Sequence, residues 1–272
     1  NISLRREADN REQSMNQKRL RSNAILLLAV LPMLLPARAA AEEILIAVAA
    51  NFTAPMNAIA AAFEADTGHS VSIAYGSSGR LFAQISNGAP FHLFFSADQD
   101  KPQQLVAAGL ADQASLSTYA TGALLLWSAS LEVTGPEILG SQQYQRLALA
   151  NPRLAPYGQA AVETLTALAM QELTEAKWVQ GENIAQTFQF VASGNAQLGF
   201  IARSQVVESA GTDFAAEGSG WPVPAEMHAP IHQDAVLLNN ANDCSACRDF
   251  LAFVKTPAMR RLITRYGYSV TP

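Results

Sequence analysis

Residues 44–69 read ILIAVAANFTAPMNAIAAAFEADTGH and join a predicted strand to a predicted helix. The apolar run at residues 44–50 has the length and continuous hydrophobicity of a strand that is buried on both faces. In the helix that follows, Thr53 can cap the first turn and Pro55 suits it, while Gly68 ends the last turn. This pairing indicates an open parallel sheet covered by helices.

The alternation of strand-like and helix-like segments continues along the chain. Predicted strands cover residues 71–75, 92–97, 121–129, 147–151, 198–202 and 229–240. Predicted helices cover residues 81–88, 101–110, 158–171, 184–194, 245–255 and 257–267. We predict an α/β protein of two lobes with two chain crossovers, near Gly122 and near Arg203. Lobe 1 comprises residues 42–122 and 204–272, lobe 2 comprises residues 123–203, and a ligand is expected in the cleft between them.

The N-terminal segment has the three parts of a secretory signal peptide. A basic segment at residues 18–21 precedes the apolar run AILLLAVLPMLL at residues 24–35, and the small residues of PARAAAEE follow it. The apolar run is too short for a comfortable membrane span and contains a proline. We expect translation to start at Met15 and cleavage to fall between Ala39 and Glu42, which predicts secretion.

The charge balance argues against nucleic acid as a partner. Of the 272 residues, 49% are hydrophobic and 15% are charged, as in a globular protein. Residues 1–41, the upstream residues and signal peptide, hold 7 of the 18 Lys+Arg and 3 of the 23 Asp+Glu, so the mature chain has a net charge of −9. Such a chain lacks the basic surface that attracts nucleic acid. An anion site in it has to work through local dipoles.

The two cysteines, Cys244 and Cys247, leave three interpretations open. An oxidising compartment favours a local disulfide. A redox-active C-x-x-C motif is the second interpretation, although no thioredoxin-like surroundings are evident, and two thiols alone make only a weak metal site. His228 and His232 can face one side of a strand, but Pro230 lies between them and no third ligand is near, so we expect surface histidines there.

The loop AYGSSGR at residues 74–80 lies between a predicted strand and a predicted helix. A nucleophile elbow needs the pattern G-x-S-x-G, and a P-loop needs a lysine followed by Ser or Thr; the loop has neither. What remains is a serine hydroxyl at a helix start next to free backbone N–H groups, which is either an anion site or a plain helix cap. A secreted hydrolase with Ser78 as its nucleophile is the weaker hypothesis, because no histidine and acid can be assigned as its base and orienting group from their order in the sequence, so we expect no enzyme.

Three other junctions between strands and helices share this property. Asn51 follows the first strand, Tyr157 and Gly158 open the helix after LALAN, and residues 181–187 open another helix. Each junction leaves unpaired N–H groups and the positive end of a helix dipole. By itself, each is more often only a capped helix. If the four converge on one cleft, neutral donors alone can hold a tetrahedral dianion.

Five segments together resemble one family. They are AVAANFTAPM, YGSSGRLFAQISNGAPFHLFFSADQDKPQQL, YATGALLLWSA, NPRLAPYGQAA and GENIAQTFQFVASGNAQLGFIARSQ. They are similar to segments of the periplasmic molybdate-binding proteins of molybdate ABC transporters, and the resemblance covers nearly the whole chain after residue 41. It implies the two-lobed periplasmic binding protein fold, type II-like, which closes over molybdate or tungstate.

The resemblance also implies which residues hold the oxyanion. Asn51 would donate through its side chain and backbone, and Ser78 through its hydroxyl and N–H. Tyr157 and Ile184 would donate backbone N–H groups. Ala50 stands where some relatives have a hydroxyl residue, so its contribution is reduced to the backbone. Molybdenum would be held only through the molybdate oxygens, with no direct metal ligand from the protein and no cofactor.

The implied function is transport. A monomeric periplasmic protein would capture molybdate, and also tungstate, and deliver it to an ABC permease in the inner membrane. The alternative is a binding protein of the same fold for sulfate or another oxyanion, because sulfate is also a full dianion and only cavity size separates the two.

Another branch of the family has a ligand-binding tyrosine at the position of Ala202, so that phenolic donor is missing. A ferric site at Tyr266 and Tyr268 is disfavoured because it needs adjacent phenolates with a histidine or carboxylate; we expect these tyrosines to pack.

Overall fold

A computed structural model describes residues 41–207 and 217–270 of the chain. Its strands are β1 (Glu43–Ala49), β2 (Ser70–Gly76), β3 (Leu93–Phe95), β4 (Ser117–Gly122), β5 (Leu124–Ser128), β6 (Leu147–Ala150), β7 (Trp178–Gly181), β8 (Leu198–Ala202), β9 (Ser219–Pro222) and β10 (Ile231–Leu237). Its α-helices are α1 (Thr53–Thr67), α2 (Ser78–Ser86), α3 (Asp100–Ala107), α4 (Pro156–Ala167), α5 (Gln171–Glu175), α6 (Ile184–Ala192), α7 (Ser245–Val254) and α8 (Pro257–Arg265). The predicted start site and signal peptide lie outside the described residues.

These strands form two five-stranded sheets with helices packed on them, which confirms the predicted two-lobed α/β fold. The first sheet has the order β2-β1-β3-β10-β4, and the second has the order β7-β6-β8-β5-β9. In the first sheet β1 pairs in parallel with β2 and β3, whereas β10 is antiparallel to β3 and β4. In the second, β6 is parallel to β7 and β8, and β5 is antiparallel to β8 and β9. Within the described ranges, no helix is both long and apolar enough to span a membrane.

The packing on both faces of β1 explains why its sequence is continuously apolar. Ile44, Ile46 and Val48 face one side of the sheet and pack with α1, α7 and α8. Ala47 faces the other side, where α2 and α3 cover it. Because successive side chains of a strand alternate between faces, both sets of positions have to be apolar when both faces are covered. Each large side chain buried in this way contributes about 1.5–3 kcal/mol.

The chain passes between the sheets inside the segment predicted as one strand, residues 121–129. The structure divides it at Ala123 into β4 of the first sheet and β5 of the second. Within the segment assigned to lobe 1 by sequence, residues 204–272, β9 pairs with β5 of the second sheet. The chain joins the first sheet again at β10, Ile231–Leu237. The sequence of β9, SGWP, does not predict a strand, because glycine and proline are typical of loops.

Candidate functional site

Connections from both sheets meet at one small cavity. The segments that follow β1, β2 and β3 come from the first sheet, and the segments that lead into α4 and α6 come from the second. The lining residues are Ala49, Ala50, Asn51, Gly76, Ser77, Ser78, Ala97, Ala155, Pro156, Tyr157, Asn183 and Ile184. The space open to the centre of a water molecule is about 10 Å³, which suits one compact group rather than an extended molecule. The structure thus brings together every residue that the sequence predicted for the site.

The lining of the cavity carries no formally charged side chain within the described part of the chain. Among the described residues, no Lys, Arg, His, Asp or Glu side chain lines it. Three helices begin at its wall, α2 at Ser78, α4 at Pro156 and α6 at Ile184. The N–H groups in a first helical turn have no partner inside the helix, and they carry the positive end of the helix dipole. An anion in this cavity would be held by neutral donors alone.

The two serines of the AYGSSGR loop do not cap their helix. Ser77 is the N-cap residue of α2, yet its side chain makes no capping hydrogen bond. Its buried Oγ has no hydrogen-bond partner within the part of the chain that the structure describes. Ser78 Oγ accepts a hydrogen bond from the Ala97 N–H at 2.9 Å, so its own hydrogen remains available for donation. Leaving a buried hydroxyl unpaired costs about 1–3 kcal/mol, and Ser77 is a donor that the sequence did not single out.

Asn51 is fixed by a buried hydrogen-bond network. Its Nδ2 donates to Gln233 Oε1 at 2.9 Å and to the Tyr268 hydroxyl at 3.0 Å. Its carbonyl oxygen accepts from the Tyr268 hydroxyl at 2.7 Å and from Ser204 Oγ at 2.9 Å. Both amide hydrogens of Asn51 therefore have protein acceptors in this structure. The side chain positions the backbone, and the backbone N–H remains the candidate donor.

The phenol of Tyr157 joins the same network. Gln233 Nε2 donates to the Tyr157 hydroxyl at 3.3 Å, and Gln233 Oε1 also accepts from the Tyr119 hydroxyl at 2.9 Å. Tyr268 packs edge-on against Phe52 at 5.1 Å, as expected, but its hydroxyl is also part of the network. These supporting residues could not be predicted from the sequence, since Tyr268 lies 217 positions from Asn51. No local pattern reports a contact at that separation.

The start of α6 is held by its neighbours in the chain. Asn183 is its N-cap residue, and the Asn183 side chain accepts from the Gln186 N–H at 3.0 Å. The carbonyl of Ile184 accepts from Gln205 Nε2 at 3.0 Å. Ile184 is the first residue of the helix, so its N–H has no partner inside the helix. The cap therefore fixes the direction in which this N–H can donate.

Two polar contacts cross from one sheet to the other beside the cavity. The Gly79 N–H donates to the Leu154 carbonyl at 2.9 Å. Arg80 pairs with Glu182 at 2.6 Å, and both side chains are about half exposed. A salt bridge exposed in this way contributes about 0–1 kcal/mol. The carboxylate of Glu182 is directed to Arg80 and does not line the cavity, so it places no negative charge against an anion.

We expect the free energy of unfolding to fall as the pH rises above about 10. Burial raises the pKa of Tyr119, Tyr157 and Tyr268. In the unfolded chain these phenols ionise near pH 10; above that pH the folded state binds more protons, so stability decreases as the pH rises. Urea unfolding at pH 8 and pH 11 measures the effect. Tyr119→Phe should reduce the difference between the two values, and an unchanged difference in this variant would contradict the assignment.

Comparison with known proteins places the chain in a family. Residues 44–269 match the model for bacterial extracellular solute-binding proteins. The chain is 44% identical over 239 residues to the molybdate-binding protein ModA of Azotobacter vinelandii, covering 87% of this chain and 94% of that protein. It is 43% identical over 250 residues to the molybdate-binding protein ModA of Rhodobacter capsulatus, covering 92% and 96%.

A solved structure supports the same assignment. The periplasmic molybdate-binding protein of Azotobacter vinelandii superimposes with a TM-score of 0.80 at 35% identity, over 84% of this chain and 100% of that one. The chain therefore belongs to the family of bacterial extracellular solute-binding proteins. Within that family, the resemblance to the molybdate-binding proteins that the five sequence segments predicted is confirmed.

Proposed function

We propose that the protein captures molybdate, and also tungstate, in this cavity and delivers it to an ABC permease. The observation that carries the proposal is the convergence of N–H and hydroxyl donors from both sheets on a cavity without charged side chains. Membership of a solute-binding family supports the role in transport, and the names of the two relatives support molybdate as the solute. The protein would act as a monomer in the periplasm after its signal peptide is removed.

The chemistry of the donors favours a fully ionised tetrahedral oxyanion. Molybdate is a dianion near neutral pH, so each of its oxygens can accept hydrogen bonds and none has to donate one. Phosphate keeps a proton in part of its population, and that proton needs an acceptor. No carboxylate is part of the described lining, so the lining lacks the side-chain acceptor that holds such a proton most strongly. Phosphate is therefore the less suited ligand.

The same residues support binding rather than catalysis. Activation of Ser77 or Ser78 as a nucleophile would require an adjacent base such as histidine. The described lining of the cavity contains no side chain of that kind. We expect the protein to be inert toward a fluorophosphonate probe, and labelling at either serine would favour a hydrolase.

Calorimetric titration tests the proposal directly. The secreted protein, freed of ligand by unfolding and dialysis, is titrated separately with molybdate, tungstate, sulfate and phosphate. We expect one molybdate or tungstate per chain and much weaker binding of the other two. A hundredfold excess of ligand over Kd should stabilise the fold by about 2.7 kcal/mol. No heat and no thermal shift with molybdate would refute the proposal, and tight binding of sulfate alone would establish the alternative.

Removing either serine hydroxyl should weaken molybdate binding. Ser78→Ala and Ser77→Ala each delete a donor to a charged ligand, which corresponds to a loss of about 1.5–3 kcal/mol. Ser77→Ala should leave the ligand-free protein at least as stable as before, because the deleted Oγ is buried and has no partner among the described residues. Calorimetry and urea unfolding measure the two effects. Ser86→Ala, an exposed position at the end of the same helix, is the control; equal affinities for all three variants would contradict the roles of both serines.

Replacing one backbone donor gives an independent test. Ile184→Pro deletes the N–H at the first position of α6, where proline is well tolerated. The preceding residue, Asn183, is already extended at φ −148° and ψ 174°, as a residue before proline prefers. We expect the helix to form and the affinity for molybdate to fall by about 1.5–3 kcal/mol. Valine is similar to proline in volume but keeps the N–H, so Ile184→Val is the matched control. Equal affinities for the two variants would mean that this N–H does not bind the ligand.

A further inference from the structure

A second cluster of ligating side chains lies in the first sheet's lobe, away from the cavity. His92 directly precedes β3, whereas Ala97, beyond the other end of that strand, lines the cavity. One ring nitrogen of His92 and the Sγ atoms of Cys244 and Cys247 lie within 4.8 Å of one another. The two cysteines form a disulfide in the structure, which is the first of the three sequence interpretations. The histidine lies far from them in sequence, so only the fold brings the three together.

Both sulfurs lie at the start of α7. Cys244 is the N-cap residue of this helix, and its Sγ accepts a hydrogen bond from the Cys247 N–H at 3.1 Å. A helix N-terminus stabilises a thiolate, which is the form that binds metals. Cys247 is fully buried, whereas Cys244 and His92 are partly exposed. A solute can therefore reach the cluster from the side of Cys244 and His92.

We propose that in the reduced protein Cys244, Cys247 and His92 form a binding site for Zn²⁺. Two thiolates and one imidazole are a typical zinc ligand set, and water can complete the tetrahedron. Two thiolates also balance the double charge of the ion, which suits a partly buried position. The disulfide is then the oxidised, metal-free state of the same site. This inference does not depend on the proposed binding of molybdate.

Conversion between the two states is a balanced exchange. A small dithiol reduces the Cys244–Cys247 disulfide with two electrons and two protons and becomes a disulfide itself. Zn²⁺ then binds the two sulfurs and releases both thiol protons to solvent. Coordination by His92 also replaces the hydrogen bond that its Nδ1 accepts from the Leu45 N–H at 3.2 Å. The loss of this one hydrogen bond is small compared with the binding free energy of a thiolate zinc site.

The histidines of this lobe provide a matched pair of variants. His69 Nδ1 accepts from the Glu42 N–H at 3.0 Å, much as His92 Nδ1 accepts from the Leu45 N–H. Asparagine keeps an acceptor near the Nδ1 position, so His92→Asn and His69→Asn should both fold. Only the first removes a proposed zinc ligand. Cys244→Ser also keeps a good N-cap residue while removing one sulfur.

The experiment measures Zn²⁺ binding to the folded protein before and after reduction by a dithiol that is then removed without oxygen. Competition with a chromophoric chelator gives the affinity, and Co²⁺ absorption reports thiolate ligation. We expect one Zn²⁺ per reduced chain, none per oxidised chain, at least tenfold weaker binding in His92→Asn and in Cys244→Ser, and no change in His69→Asn. The proposal is wrong if the disulfide can be reduced only by unfolding, if the reduced folded chain binds no Zn²⁺, or if His92→Asn binds it as tightly as the wild type. Molybdate titration of the oxidised protein is unaffected by any of these outcomes.

Discussion

Asn51→Asp is expected to reduce the affinity for molybdate at least a thousandfold, which corresponds to about 4 kcal/mol. The substitution keeps the shape of the side chain but exchanges its two N–H donors for a carboxylate oxygen. That oxygen would face Gln233 Oε1 and the Tyr268 hydroxyl, where Asn51 now donates at 2.9 and 3.0 Å. The backbone N–H that is proposed to bind the ligand would lose the contacts that position it.

Charge adds to the loss of these hydrogen bonds. A dianion in the cavity would lie next to a carboxylate, and two unit charges roughly 4 Å apart interact by about 4 kcal/mol at an effective dielectric constant of about 20. The described lining offers no cation to offset the repulsion. Calorimetry with molybdate at pH 8, where the carboxylate ionises more fully, measures the effect.

The control for this substitution is Asn57→Asp. Asn57 lies on α1 with an exposed side chain, and its Oδ1 accepts from the Tyr75 hydroxyl at 2.5 Å. A carboxylate preserves that acceptor and adds the same charge to the protein at an exposed position. We expect its affinity to remain within a factor of about two. If Asn51→Asp binds molybdate as well as this control does, the site is not the one that the cavity defines.

Gly158→Ala is expected to abolish molybdate binding and to lower the free energy of unfolding by about 3 kcal/mol or more. Gly158 follows Tyr157 in the first turn of α4. A Cβ atom on it would lie 2.1 Å from the carbonyl oxygen and 2.7 Å from the carbonyl carbon of Ala150, at the end of β6. These are backbone atoms, so the helix itself has to move. The Tyr157 N–H would move with it, away from the cavity.

Gly140→Ala serves as the control for this variant. A Cβ atom on Gly140 would meet only the Cε of Met170, at 3.9 Å, which is an ordinary contact. Urea unfolding and molybdate titration of both variants give the two quantities. Retention of tight binding in Gly158→Ala, together with an unchanged unfolding midpoint, would show that α4 does not need this close approach to β6.

Much of this site could be predicted from local sequence patterns and motifs. The strand of residues 44–50 and the glycine and serine loop at residues 74–80 could be interpreted from sequence, because each determines its own conformation. Their convergence could not, and it rested on the family resemblance. The two neighbouring serines also look alike in sequence. Only the fold shows that Ser78 Oγ accepts from Ala97 while Ser77 Oγ lacks a partner among the described residues.

The contacts of the Asn51 side chain could not be predicted for the same reason. An amide at a helix start is a reasonable ligand donor, and nothing within ten residues of it suggests otherwise. Its hydrogens are used by Gln233 and Tyr268, which reach it from β10 and from the segment after α8. The strand β9 was missed because its pairing with β5 determines its structure more than its own composition does. Long-range pairing is the information that a single sequence does not display.

Because the lining of the cavity is uncharged, we expect ionic strength to affect the affinity for a dianion mainly through the net charge of the whole chain. The chain as a whole is negative, with a formal charge of −5 for the full sequence, so an approaching dianion is repelled at long range. Dissolved salt screens this repulsion within about 10 Å at 0.1 M, and association becomes faster. Buried dipoles are hardly screened, so dissociation keeps its rate. We therefore expect the apparent affinity for molybdate to rise with added salt, opposite to the behaviour of a receptor that attracts its anion with lysine and arginine.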